Sequence, residues 1–353
     1  MKYLLYSDVH FCENSSSIQS RGQKYSTRLE YLIRSINWAE EQAIINNCDA
    51  IICLGDFFDR SDIKSEEATA LQEINWVNLP HYFIVGNHEA SNKSLTFNSV
   101  EVLRKINDFH IISEPTPLNR EILFLPYVKE SELKSLKEYW TNAGLNLNEG
   151  KKIILSHNSI KGIQMGPFIS KEGLDIEEID SFCTKFINGH LHNGTQFSKK
   201  GINVGNLSGQ NFGEDANKYN HNAYVFDEEN CSLIALENPF AFNFYKIEIN
   251  NENDIKTKLS NLKNNAILSI KCIENLVDKV KELLNEKKEV LASRVIIIKN
   301  ISNSSTNDEG KSLTDLIDTT NHLNKFIAFA RENIEKSDVL YYELSEICKN
   351  EVA

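Results

Sequence analysis

Five short segments bring together residue types that hold metal ions: Asp8-Val9-His10, Gly55-Asp56-Phe57-Phe58-Asp59-Arg60, Gly86-Asn87-His88-Glu89, His157 within Leu155-Ser156-His157-Asn158, and Gly189-His190-Leu191-His192. In an extended D-x-H the carboxylate and the imidazole fall on the same side, because side chains alternate along a strand. Asp8 and His10 are therefore expected to share one ion. His190 and His192 repeat the device with two imidazoles, which can divide between adjacent ions. Asp56 can bridge two ions, its charge offsetting their repulsion, while the Asn87 amide oxygen and His157 complete the second shell. The glycines let the backbone turn sharply behind each ligand. A mixed nitrogen and oxygen set suits Mn²⁺, Fe²⁺ or Zn²⁺ over thiolate-loving metals.

Two ions about 3.5–4 Å apart stabilise the attacking and the leaving oxygen of an in-line phosphoryl displacement, and they supply a nucleophile without a protein base. His88 follows the Asn87 ligand, so its ring is expected to point away from the ions. It could donate to the phosphate or protonate the leaving oxygen, a role worth about 10²–10⁴-fold. Asp56 and His88 are the expected catalytic residues.

The elements that must position these groups follow from hydrophobic patterning. Up to about Phe244, short apolar runs alternate with amphipathic stretches, which is α/β layering. Strands are expected at Tyr3–Ser7, Ala50–Leu54, Tyr82–Val85, Ile122–Leu125, Ile153–Ser156, Lys185–Ile187, Ile202–Val204 and Ala223–Phe226. A helix between the first two carries Leu29, Leu32, Ile33, Ile36, Ala39 and Ala43 on one face. Most of the strands before His192 run into a cluster of Asp, Asn or His, and ligands in open α/β sheets gather where strands end. From Tyr245 a small β-α-β-α-β unit is expected, with helices at Asp254–Leu262 and Leu276–Leu291 and strands at Tyr245–Ile249, Ile267–Ile273 and Val295–Ile298. The expected domains are thus 1–244 for the ligand-bearing layers, 245–300 for a small α/β unit, 301–311 for a linker and 312–353 for a helical segment with an apolar stripe from Leu313 to Ile347.

Composition narrows the class. The 353 residues carry a net charge of −12 and 41% hydrophobic residues, and no apolar run approaches the ~20 residues of a membrane span. Seven scattered cysteines without a C-x-x-C suit buried thiols in a reducing cytoplasm, not a disulfide frame. A secreted or membrane protein is not expected. The acidic balance also implies that an isolated chain grips duplex DNA weakly, with affinity falling steeply as salt rises.

The order D-x-H, G-D-x-x-D, G-N-H-E, H, G-H-x-H resembles that of calcineurin-like metallophosphoesterases. Within them, Gly55-Asp56-Phe57-Phe58-Asp59-Arg60, the short His157 segment and the loop Asn206-Leu207-Ser208-Gly209-Gln210-Asn211 are most similar to SbcD-type double-strand-break repair nuclease subunits, including tailed-phage recombination nucleases. The motif resemblance covers about Met1 to Asp227; beyond that it is one of architecture. It implies a two-sheet α/β metallophosphoesterase sandwich flanked by helices, followed by a cap and a C-terminal helical segment. One ion would be held by Asp8, His10, Asp56 and His192, the other by Asp56, Asn87, His157 and His190, with His88 beside the scissile phosphate. It implies further a Mn²⁺-dependent DNA exo- and endonuclease (Mg²⁺ also serving in vitro), a homodimer, and a partner SbcC-type ABC ATPase with coiled coils bound by the C-terminal helices. The small cap suits a phage enzyme acting in the host cytoplasm. Glu89 departs from the Asp of many relatives and matches the protein Ser/Thr phosphatases. Those phosphatases, however, follow the Arg with Gly where Ser61 stands here, and they lack G-H-x-H.

The rival readings are a phosphatase or phosphodiesterase for phosphoproteins or cyclic nucleotides, and a degenerate scaffold. Arg60 reads as an ion-pairing residue, His221 and Cys12 as packing residues, and Tyr127 as a strand-end tyrosine. His81, His110 and His322 have no companion ligands and no assigned role.

Overall fold

The computed structural model describes residues 1–298 apart from 16, 19, 92–94, 107 and 166–167, within one compact unit spanning Met1–Asn300. The expected linker at 301–311 and helical segment at 312–353 lie outside the described residues.

In chain order the first elements are β1 (Lys2–Tyr6), α1 (Thr27–Ile45), β2 (Ala50–Cys53), α2 (Ser65–Ala70), β3 (His81–Ile84), β4 (Phe109–Ile112), β5 (Thr116–Pro117) and β6 (Ile122–Leu125). There follow α3 (Leu136–Asn142), β7 (Ile153–Ser156), the β8 (Gln164–Met165) and β9 (Phe168–Ile169) hairpin, α4 (Ile176–Phe182), β10 (Lys185–Asn188), β11 (Thr195–Gln196) and β12 (Gly201–Asn203). The remainder is β13 (Asn222–Asp227), β14 (Ser232–Glu237), β15 (Asn243–Ile249), α5 (Glu252–Lys258), β16 (Ala266–Ile273), α6 (Val277–Glu286) and β17 (Val290–Ile298).

Two six-stranded mixed sheets form the body, in the orders β14-β13-β1-β2-β3-β4 and β11-β12-β10-β7-β6-β5. Strands β1 to β4 run parallel in the first, and β6, β7, β10 and β12 run parallel in the second. Period-two alternation divides their side chains. Tyr3, Leu5, Ile52 and Ile84 of the first sheet meet Ile122, Phe124, Ile153, Leu155 and Ile187 of the second in the inter-sheet core. The other faces are covered by helices, as parallel sheets require. Leu4, Tyr6, Ile51 and Phe83 pack against Leu29, Leu32, Ile36 and Ala39 of α1. Leu123, Ile154 and Phe186 pack against Leu136, Trp140 and Ile179 of α3 and α4. Helix α1 starts where Ser26 accepts the Leu29 N–H at 3.2 Å, satisfying one orphan donor of its first turn.

The third sheet, β15-β16-β17, is parallel throughout and buries Ile247, Ile249, Leu268, Ile270 and Val280 in its own cluster. Helix α6 ends at Glu286 rather than Leu291, because Val290–Ile298 is drawn into pairing with β16. Patterning also passes over the edge strands β4, which His110 interrupts, and β14, whose apolar run Leu233–Leu236 lies largely open to solvent. Among the described residues all six cysteines are free, and no helix is long and apolar enough to cross a membrane.

Candidate metal centre

The parallel strands of both sheets end at one place. Asp8 and His10 follow β1, Asp56 follows β2, Asn87 follows β3, His157 follows β7, and His190 and His192 follow β10. The strand reading of D-x-H needs correction here. β1 stops at Tyr6, and Asp8 and His10 both lie beyond it with left-handed backbones, φ +51° and +48°. Asp56 (φ +50°) and His190 (φ +74°) share that conformation. Asp and His tolerate it better than most residues, but its cost is sustained only where the surroundings enforce it, commonly at functional sites. The backbone of this loop is fixed by N–H groups of Asp8 and His10 donating to the carbonyls of Gly55 and Asp56, each at 3.0 Å. Two glycines are obligatory. A Cβ on Gly86 would meet Asp56 Oδ1 at 2.1 Å, and one on Gly55, itself at φ +105°, would meet the His157 ring at 2.2 Å.

The ligand atoms converge in a way that only a cation resolves. His157 donates from Nδ1 to the Leu54 carbonyl at 2.7 Å, which leaves a lone pair on Nε2 in the neutral ring. That Nε2 faces Asp56 Oδ2 at 3.1 Å, an ion-pair distance whose angle falls short of a hydrogen bond. His10 donates from Nδ1 to Asp59 at 3.1 Å and His192 donates from Nδ1 to Glu214 at 2.9 Å, so their Nε2 lone pairs point at each other across 3.1 Å. His190 donates from Nε2 to the Ser159 hydroxyl at 3.2 Å, which in turn donates to Glu130 at 2.8 Å. Its Nδ1 then faces the Asn87 amide oxygen at 3.0 Å. With neutral rings, each contact sets acceptor against acceptor. Asp8 Oδ1 is buried without a hydrogen-bond partner among the described residues, its nearest counter-group being His10 Nε2 at 4.0 Å. Asp8, His10 and His192 form one cluster with ligand atoms within 4.8 Å, and Asp56, His157 and His190 form another. Asp56 Oδ2 also lies 3.9 Å from His10 Nε2, between the two clusters. The residues fit two cations with Asp56 shared.

His88 is exposed and stands edge-on to His10, with ring centroids 4.7 Å apart. It donates from Nδ1 to the Asp59 carbonyl at 2.9 Å. Its ring does not point away from the centre as expected: a ring nitrogen lies with His10 and Asp56 in a third cluster of ligand atoms within 4.8 Å of one another. Its backbone N–H donates to Asp56 Oδ1 at 3.1 Å, so the same short turn fixes a carboxylate and carries the histidine.

Electrostatics follow from burial and partners. Burial would raise the Asp56 carboxyl, but His157, then His10 and His88, hold it far below the usual range. Burial would lower His157, but Asp56 and Asp8 push it up to about 9. His190 is driven down to about 4 by burial and the His157 charge. Glu89, fully buried and close to Asp56, is pushed up to about 8 although the Phe58 and Gly86 N–H groups donate to it at 3.0 and 2.7 Å. Those two bonds tie the Asp56 and Asn87 loops together.

The family model for calcineurin-like phosphoesterases matches residues 1–194, more than half of the chain. The chain belongs to the calcineurin-like phosphoesterase family. All seven candidate ligands fall inside the matched segment. Among solved structures, this phosphoesterase is similar to an archaeal phosphodiesterase at 14% identity, covering 67% of this chain and 99% of that one with a TM-score of 0.35. It is similar also to a dimetal phosphatase from Danio rerio at 13% identity, covering 67% and 98% with a TM-score of 0.36. Neither likeness is close enough to transfer a substrate. No curated protein matches the chain.

Several residues of this phosphoesterase that act on the ligands carry no motif. Glu214, beyond the matched segment, is buried and accepts from His192, from the Asn206 side chain at 2.9 Å and from the Gln210 N–H at 2.7 Å. Its only sequence signal is its place just after the Asn206–Asn211 loop. Arg28 of α1, also buried, donates to the His10 carbonyl at 3.2 Å and to the Gln210 side chain. Glu130 and Ser159 give no signal until the fold brings them to His190. Arg60 pairs with both oxygens of buried Glu67, at 2.6 and 2.7 Å, as an ion-pairing residue should. His221 is buried beneath the Asn206 loop, and His81 is held by Glu40 at 3.0 Å in the α1 core. Tyr127 lies 6.3 Å from the His190 ring and donates to Glu130 at 3.4 Å.

Glu214→Gln is expected to weaken divalent-metal affinity about 10–100-fold, the usual cost of losing a carboxylate behind a ligating histidine. The amide would turn an NH₂ toward donors that now meet an oxygen. Calorimetric Mn²⁺ titration of the variant checks this, and wild-type affinity would refute it.

Proposed function

We propose that this chain is a Mn²⁺-dependent DNA exo- and endonuclease, the nuclease subunit of an SbcCD-type recombination and repair complex. The observation that carries the chemistry is the set of lone pairs facing each other at about 3 Å among His10, His192, His157, Asp56, His190 and Asn87. The finer reading is supported by the Gly55–Arg60 and Asn206–Asn211 segments and by a third sheet beyond the matched segment, suited to a cap over the substrate.

Asp8, His10, Asp56 and His192 would hold one divalent ion, and Asp56, Asn87, His157 and His190 the other. Two such ions supply charge neutralisation at the phosphate and an activated water. The protein's own contribution is placement. Asp59 and Glu214 keep the Nε2 lone pairs of His10 and His192 turned inward, and the Leu54 carbonyl does the same for His157. His88, held at Nδ1, presents Nε2 to the phosphoryl or leaving oxygen and in its protonated form donates there. In this reading the partner is an SbcC-type ABC ATPase bound through the C-terminal segment. The nuclease acts as a homodimer, and much of the DNA affinity comes from that assembly.

The test is digestion of end-labelled linear duplex with Mn²⁺ by the wild type and by His88→Ala. DNA cleavage reduced about 10²–10⁴-fold in the variant, with unchanged metal binding, is the expected result. Hydrolysis of small diesters with no DNA cleavage, even after the ATPase is added, would overturn the nuclease reading.

A further inference from the structure

Beside His190 and His192 the ligand cluster opens into a cleft of about 780 Å³. Its lining includes Thr195 and Phe197 of the turn at β11, Lys218 and Tyr219 of the loop before β13, and the apolar Ile163 and Ile176. Neither the turn nor the loop supplies a metal-ligand candidate, and the volume lies within the ~300–1,000 Å³ usual for small-molecule sites, far more than a bare phosphate needs. It also lies on the accessible side of the centre. The His192 side chain is 30% exposed, whereas Asp8, Asp56 and His157 are closed to solvent.

The walls are firm and carry the right chemistry for a base joined to a phosphate. Phe197 is half-buried and packs edge-on against Phe186, with centroids 6.3 Å apart at 72°. The loop bearing Lys218 and Tyr219 is pinned to β15, where Ala216 donates its N–H to the Phe244 carbonyl at 2.9 Å. Within it the N–H groups of Lys218 and Tyr219 donate to the Asp215 carbonyl at 2.8 and 3.0 Å. Tyr219 is thereby held half-buried at the rim. The Lys218 side chain is 70% exposed and its ion pair with Asp215 is loose, at 4.0 Å, so it can also meet an anion. Glu214 does not oppose that anion, because its carboxylate is taken by His192, Asn206 and Gln210.

We propose that this cleft is a nucleoside subsite: the nucleoside adjoining the scissile phosphate enters between Phe197 and Tyr219, stacks its base on them, and places its next phosphate at Lys218. Aromatic platforms of this kind accept every base, because each has a π-face. A cleft that admits one nucleoside takes it unpaired, so this strand is engaged one base at a time beside the metal centre. The proposal rests on the phosphodiesterase reading above.

The test compares thymidine 5′-(p-nitrophenyl) phosphate with methyl p-nitrophenyl phosphate in Mn²⁺. Both release the same phenolate, so the ratio of their kcat/KM values isolates the nucleoside. The wild type should prefer the thymidine ester. Tyr219→Ala should cut that preference about tenfold, the size of one lost base stack, and Tyr219→Phe should retain it. Calorimetric binding of thymidine 5′-monophosphate in EDTA should show the same order among the three proteins without any metal. Turnover of both esters with no thymidine preference, or a preference untouched by Tyr219→Ala, would overturn the subsite and leave the phosphodiesterase reading standing. Tyr219-dependent nucleotide binding with turnover of neither ester would keep the subsite and sink the diesterase reading. A phosphotyrosyl peptide that binds through Tyr219 where the nucleotide does not would overturn the proposal in favour of a phosphoprotein ligand.

Discussion

Asp56→Asn is expected to lower Mn²⁺-dependent phosphodiester hydrolysis by about 10³-fold or more, because one residue serves both ion positions. Loss of a single electrostatic donor at a reacting centre costs about 10²–10³-fold. Asp56 sits 3.1 Å from His157 and 3.9 Å from His10, on the two sides of the centre, so both clusters lose their shared anion. The fold should survive the change. Asp56 Oδ1 accepts the His88 N–H at 3.1 Å, and an Asn oxygen at that position can accept it equally. The check is kcat/KM on a small diester together with a melting curve in EDTA. Activity within tenfold of wild type, in a variant that melts normally, would remove Asp56 from the centre.

The second large effect is on stability. Without metal the facing lone pairs repel, and a proton on His157 is the available substitute for a cation. With its folded pKa near 9 against about 6.5 unfolded, His157 stabilises the metal-free chain fully below about pH 6.5. That contribution is lost as pH rises toward 9. Metal binding has the opposite requirement, a neutral ring. His190, driven down to about 4, is already neutral throughout this range. Saturating Mn²⁺ at about a hundred times its dissociation constant adds about 2.7 kcal/mol, which corresponds to a rise in Tm of about 4 °C in a domain of this size. The gap between Mn²⁺-loaded and EDTA-treated protein should widen from pH 6.5 to 9. A gap that is absent, or that narrows over that interval, would contradict the account.

Much of this centre was legible because the parallel strands are buried on both faces. Runs such as Ala50–Cys53 and Ile153–Ser156 read as strands without help, and the chemistry-bearing residues stand directly after them. Residue type and order then marked Asp8, His10, Asp56, Asn87, His157, His190 and His192 as one set. What patterning could not give was the backbone that aims them. D-x-H reads as alternation on a strand, whereas the residues turn inward through left-handed φ after the strand has ended. Nor could it give the partners that choose a tautomer. Glu214 lies 22 residues from His192 and Glu130 lies 29 from Ser159, and nothing local distinguishes them from surface carboxylates. The edge strands β4 and β14 also went unassigned: each has a single neighbour, β4 is interrupted by His110, and β14 is largely open to solvent despite its apolar residues.

The most direct test of the two-ion centre is calorimetric titration of chelator-stripped wild type and Asp56→Asn with Mn²⁺. Two ions per chain in the wild type, with both sites weakened or lost in the variant, is the predicted result. A wild-type stoichiometry below two, or two ions bound with unchanged affinity by Asp56→Asn, would contradict it.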